Sequence, residues 1–303
     1  MKPLSHPRRF SFLCSTLGAL AGLALAAGCG RSAAPPDAAA LLQEGWNKFR
    51  LGEYDQSLKM FDRALAMPEL AAEARVQALH GKATVCDLRQ PVPSQDDEQA
   101  AALYREVIAA DPGHDLAAWS SLALTRMQHL LPVDQEPDFA AVRAAYQEVI
   151  DRYPNHLAGQ EALIHQQSTW IMTLDTNATR AAVANLEKFL QARPDTRFAA
   201  AAWALLAQGF ETLGEPDRQL EARIREIETL EIDPSSPAAS DLSLRYWQVA
   251  TTAEFLAGRL DLARTYYRKL IDEYPLDYRK FGAKQALARM DRLEESLRAK
   301  AAP

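Results

Sequence analysis

The chain is poor in the residues that staple, catalyse or bend a fold. It has three cysteines in 303 residues. Cys14 lies in an apolar N-terminal run and Cys29 closes that run, so Cys86 stands alone in the body of the protein. No intrachain disulfide framework can form there, and the fold must stand on packing. A buried structural thiol is the expected role of Cys86. Glycine is scarce, at 13, and no stretch alternates β-branched with polar residues, so the expected class is all-helical. The patterns G-x-S-x-G, H-E-x-x-H, G-x-x-x-x-G-K-[ST] and G-x-G-x-x-G are all missing, so nothing points to an enzyme or a cofactor. His80, His114, His129, His156 and His165 include no pair three or four apart, and no metal set is expected. Positive charge is also short. Formal charge is −6 overall, and near −9 beyond residue 28, where 31 basic side chains face 40 acidic ones. That balance argues against binding nucleic acid or anionic lipid by charge alone.

What the chain does have is amphipathic helix, in pairs. Residues 247–275 carry Trp247, Ala250 and Phe255, a break at Gly258, then Leu262, Ala263, Tyr266, Tyr267 and Leu270. Spacings of three and four put these on one face of each half. Pro275 lacks an amide hydrogen and stops the second half. Pro68, Pro112, Pro154, Pro194, Pro234 and Pro275 punctuate the chain every 40 to 44 residues. The expected pairs are 38–50 with 54–67, 71–88 with 97–110, 115–130 with 137–152, 156–174 with 178–192, 197–213 with 216–231, and 238–257 with 260–273. A charged helix over 278–299 follows. One such hairpin cannot bury its apolar face alone, so the units must stack.

Trp247, Ala263, Tyr267 and Pro275 fill slots of the tetratricopeptide pattern W-x2-L-G-x2-Y, A-x3-F, P. Residues 51–64 match its middle through Leu51, Gly52, Tyr54, Ser57, Phe61 and Ala64. The chain resembles a tetratricopeptide repeat protein; a HEAT-type array is the rival at this period. Glu254 stands where the pattern wants Tyr, with Phe255 one residue beyond. The resemblance implies an all-α, right-handed α-solenoid of about six helix pairs, over 38–277, closed by a capping helix over 278–299. It also implies that first helices line an inner groove.

Residues 1–28 read as an export leader, with Lys2, Arg8 and Arg9 ahead of the apolar run 10–27. Leu25-Ala26-Ala27-Gly28-Cys29 resembles a bacterial lipobox, which implies acylation of Cys29; an ordinary leader with Cys29 unmodified is the other reading. Acyl chains contribute about 0.8 kcal/mol per buried methylene, and several together anchor stably. Gly30 in place of Asp leans toward the outer membrane. Residues 29–37 form a short tether, with Asp37 a plausible helix cap.

The expected groove residues are Trp46, Phe49 and Arg50 in the first unit, and Arg245, Gln248, Thr252 and Phe255 in the last. Trp170 is a further candidate. Trp119, Trp203 and Trp247 are expected in the core. Leu42 and Trp46 occupy positions where chaperone-binding relatives carry a carboxylate clamp, so that chemistry is not expected. The acidic run Asp96-Asp97-Glu98 is expected to cap a helix, and Asn177-Ala178-Thr179 to form a turn. The resulting expectation is a lipid-anchored scaffold for other envelope proteins or peptide segments. The alternative is a periplasmic protein that encloses a lipid or small molecule in an apolar cavity.

Overall fold

The computed structural model describes residues 37–89, 94–131, 135–231 and 241–301. The leader, Cys29, most of the tether, Pro234 and residues 238–240 lie outside these. Ala38–Pro303 forms one compact unit. Among the described residues there are thirteen α-helices and no strand. They pair as α1 (Ala38–Arg50) with α2 (Tyr54–Leu65), α3 (Ala72–Leu88) with α4 (Ser94–Ala110), and α5 (Asp115–His129) with α6 (Phe139–Arg152). Then come α7 (Leu157–Ile171) with α8 (Thr176–Ala192), α9 (Ala199–Leu213) with α10 (Pro216–Thr229), and α11 (Ser243–Thr251) with α12 (Leu260–Glu273). Helix α13 (Arg279–Ala301) closes the series. The all-α solenoid of stacked pairs is the observed fold.

Each pair forms because its two apolar faces meet, in four of the six pairs around one fully buried aromatic of the second helix. Phe61, Tyr104, Tyr146 and Tyr267 are all essentially without solvent contact. Small residues admit them. An added Cβ on Gly81 would stand 2.4 Å from the Phe61 ring, and one on Gly45 2.9 Å from it. Ala250 and Ala263 are fully buried in the last pair. Trp119, Trp203 and Trp247 pack, partly buried, against the cores of their units. Cys86 is buried and unpaired, and burial pushes its thiol above the ordinary range.

Four of the joints share one device, set two residues after the proline. His114, His156, Thr196 and Asp277 each accept a backbone N–H two residues on, from Leu116, Ala158, Phe198 and Arg279. Three of these side chains also reach the preceding unit. His114 Nε2 meets Glu73 at 2.9 Å, His156 Nε2 meets Asp115 at 2.7 Å, and Thr196 donates to Gln160 at 2.8 Å. Helix start and inter-unit contact are therefore one structure.

Several boundaries differ from expectation. Helix α4 begins at Ser94, so Asp96, Asp97 and Glu98 sit in its first turns rather than ahead of it; Asp96 pairs with Arg89 at 2.6 Å. Asn177-Ala178-Thr179 is helix, not turn, because the Asp175 carboxylate caps α8 by accepting the amide of Ala178. The last first helix does not run unbroken to 257. It changes at Thr252 into a π-helical turn, Thr252–Leu256, before Gly258 reverses the chain at φ 66°. A π turn accommodates one extra residue, which accounts for Phe255 falling one place late.

Candidate partner-binding surface

First helices touch their successors: α1 with α3, α3 with α5, α5 with α7, α7 with α9, and α11 with α13. Among the described residues no Cα of a second helix comes within 8 Å of one in the next second helix, and where two of them do meet, Arg218 of α10 and Glu187 of α8, the contact is made by long side chains. The layer of first helices is therefore the more closely spaced, and a stack with unequal layers curves toward the tighter one. The inner surface belongs to the first helices.

That layer is tied by repeated rungs. Tyr104 donates to Asp87 at 3.1 Å, and Arg126 of the next first helix meets the same carboxylate at 2.8 Å. Tyr267 donates to Glu254 at 2.9 Å, and Arg289 of α13 meets that carboxylate from the other side. In the third unit His129 meets the Tyr146 hydroxyl at 3.0 Å, and the His165 ring stacks on Tyr146 at 5.7 Å. Burial raises all three phenols, Tyr146 to about 12; the neighbouring carboxylates push Tyr104 and Tyr267 further in the same direction. Burial, then His165, lowers His129. His80 lies deeper, with Nδ1 3.0 Å from Ser120 Oγ, and burial lowers it to about 4.

The inner layer is broken at one place. Among the described residues no Cα of α9 comes within 8 Å of one in α11. The joint here runs from 230 to 242, against 111–114 or 153–156 elsewhere. A cleft of about 520 Å³ opens over α10. Ala204, Leu205 and Gln208 form one wall, Leu244, Arg245 and Gln248 the other, and Arg223 and Glu226 lie at the floor. Its charges are paired internally: Arg245 meets Glu226 at 2.6 Å and Arg223 meets Glu211 at 3.2 Å. The Gln208 and Gln248 side-chain amides hold no hydrogen bond among the described residues, and Leu244 is 45% exposed. The cleft thus offers free donors and acceptors, apolar contact and no net charge.

The expected groove residues separate on this surface. Arg245 and Gln248 line the cleft together. Thr252 does not reach it: it is 5% exposed, turned inward by the π turn. Phe255 is 64% exposed at the hairpin turn, with the Arg289 guanidinium 5.2 Å above its ring. Trp46 and Phe49 pack edge-to-face on each other and into the first core, Trp46 against Phe61 at 5.4 Å and Phe49 against Tyr54 at 5.7 Å. Arg50 is exposed and donates to Asn47. Trp170 is 38% exposed with Arg143 stacked 3.6 Å from its centroid. Gln208 and Leu244 were not singled out from the sequence. Laying Trp203 over Trp247 would have found Gln208, which takes the place of Thr252. The described residues contain no group of three or more potential metal ligands, and none of their helices is long and apolar enough to cross a membrane.

Comparison with known proteins agrees with the fold. Residues 42–77 and 246–277 each match a tetratricopeptide repeat. The type IV pilus biogenesis factor PilW has a similar crystal structure, at TM-score 0.52 and 15% identity over 81% of this chain and 97% of that one. A thermophilic tetratricopeptide protein of Thermus thermophilus, TTC0263, matches at TM-score 0.27 and 18% identity, over 83% of this chain and 99% of that one. No curated protein matches. The chain therefore carries tetratricopeptide repeats, a module for protein interaction.

Proposed function

We propose that this protein is a lipid-anchored scaffold of the bacterial envelope, held through Cys29 and facing the periplasm from the outer membrane. It catalyses nothing and holds partner segments on its inner surface. The observation that carries the reading is the cleft between α9 and α11. Its two free glutamine amides can pair with the main chain of an extended or helical segment, and its internally paired charges leave Leu205 and Leu244 to receive apolar side chains. Such walls suit a peptide better than the acyl chain of the alternative reading, since an acyl chain would leave both amides unpaired. PilW, described as a pilus biogenesis factor, shares the architecture, which supports an assembly role of this general kind.

The test is photo-crosslinking in the native host. A photoreactive residue replaces Gln208 or Gln248, with exposed Glu221 on α10 as the outer-face control. Capture of a defined envelope protein from the cleft positions alone is the expected result. Capture from Glu221 alone, or from none of the three, overturns the groove assignment. Mass spectrometry of the mature protein tests the anchor separately, because an unacylated Cys29 removes it.

A further inference from the structure

Every first helix runs from the joint edge of the stack to the edge where the chain turns within a pair. The two edges differ. Of sixteen large apolar side chains exposed among the described residues, nine lie at the within-pair turns or on the helix ends beside them. Five lie at joints or on the helix ends beside them, three of these at the final joint beside α13. The turn edge displays Leu51 at 71% exposure, Leu130 at 66%, Met172 at 65%, Leu174 at 72%, Phe255 at 64% and Leu256 at 56%.

Two of these turns adopt unusual backbone to do so. Leu174 sits at φ 57°, the left-handed region, where Gly52, Gly214 and Gly258 turn three other pairs. A leucine there costs about 1 kcal/mol or more, and costly backbone concentrates at functional positions. The π turn sends Phe255 and Leu256 outward in the same direction as the chain reverses.

We infer that this edge rests on a lipid bilayer, inserting the exposed apolar side chains of every pair but α9–α10 at the headgroup–acyl boundary. Isolated apolar residues on convex turns make no pocket for a peptide, whereas a fluid apolar phase accepts each at its own depth. The stacked Arg143–Trp170 pair on the same edge has the amphipathic character of an interfacial anchor. Chain length permits the contact. From Cys29 to Asp37 the chain reaches at most about 26 Å, while α1, with 13 residues, spans about 20 Å from its start to the Leu51 turn. The bilayer that holds an acylated Cys29 is thus within reach of the turn edge. The inference rests on the anchored reading above, and it leaves the inner surface and its cleft open sideways to a partner.

The experiment uses the acylated full chain in phosphatidylethanolamine–phosphatidylglycerol vesicles containing nitroxide lipids. An environment-sensitive fluorophore is attached at Leu51→Cys, Leu130→Cys or Leu174→Cys on the turn edge, and at Asn155→Cys or Asp195→Cys on the joint edge. Buried Cys86 does not compete for label. The expected result is quenching at the turn positions at least about twofold above that at the joints. Flotation with vesicles separates the two readings. A chain that floats but shows equal or reversed quenching keeps the anchor and loses the bilayer edge; one that neither floats nor quenches loses both. Concentration-dependent shielding of the turn probes without lipid assigns the edge to a second copy and overturns the inference.

Discussion

His156 holds two ends of one joint: its Nδ1 accepts the Ala158 amide at 3.0 Å while its Nε2 meets the Asp115 carboxylate at 2.7 Å. The acceptor role of Nδ1 places the proton on Nε2, so the neutral ring serves both bonds. His114 repeats the arrangement one unit earlier with Leu116 and Glu73. In a stack where each unit contacts only its neighbours, such a joint couples adjacent units directly.

Replacing His156 with alanine removes the cap and the inter-unit bond. The loss of a helix cap costs about 1 kcal/mol, and the exposed pairing adds little. The expected outcome is an unfolding free energy in urea lower by about that amount, with His156→Asn in between because it caps but cannot reach Asp115. A variant as stable as the parent would show that the joint is held by packing alone.

The His80 ring is partly buried between α3 and α5, close to Ser120, Trp46 and Tyr104. Its protonation is held down to about 4, chiefly by burial, with Asp115 opposing and His114 assisting. A depressed folded value means that the unfolded chain takes up the proton first. Stability from this group is therefore complete above about pH 6.5 and falls as pH drops toward 4. The effect is of order 3 kcal/mol across that interval, and His129, also lowered, acts in the same direction. Urea midpoints at pH 7.5 and pH 4.5 should lie closer together in His80→Gln than in the parent. An unchanged difference would assign the acid loss to carboxylates instead.

The hairpins were legible in the sequence because proline stops and helical spacing are local signals. The cap at His156 was legible only as a joint, since its partner Asp115 lies 41 residues away. The π turn was visible as a misfit, with Glu254 in the aromatic slot and Phe255 beyond it, but not as a shape. Burial of Thr252 follows from that turn, so the groove residue was misplaced for the same reason. Trp46 and Phe49 read as groove residues by position, yet packing on Phe61 and Tyr54 takes much of both rings. The cleft itself depends on a missing contact between α9 and α11, which no residue announces.

Gly81 lies against the Phe61 ring with no room for a methyl group. Gly81→Ala should cost about 1–3 kcal/mol through overpacking, despite the better helix propensity of alanine. Phe61→Leu opens the same space and is destabilising alone. The double variant should be more stable than the sum of the two losses predicts, by the coupling expected of side chains in contact. Strict additivity in chemical unfolding would place the strain elsewhere.

Leu174 should be improved by glycine. At φ 57° the leucine side chain strains the backbone, and its 72% exposure means little packing is lost. Leu174→Gly relieves that strain but frees the unfolded chain, so the net gain is about 0.5 kcal/mol. Calorimetry of the lipid-free protein should show a slightly raised melting temperature. A clear fall would mean that Leu174 packs in a way its exposure hides.

Glu254 tests the rung that holds the last unit to α13. Its side chain is 6% exposed, and it meets Tyr267 Oη on one oxygen and the Arg289 guanidinium on the other. Removing the arginine leaves a buried carboxylate with a single hydroxyl donor. Arg289→Ala should therefore cost about 1–3 kcal/mol. Glu254→Gln keeps the Tyr267 bond and relieves the charge, so combining it with Arg289→Ala should recover part of that loss. Equal losses in the single and double variants at neutral pH would show that Arg289 acts by packing on Phe255 rather than through Glu254.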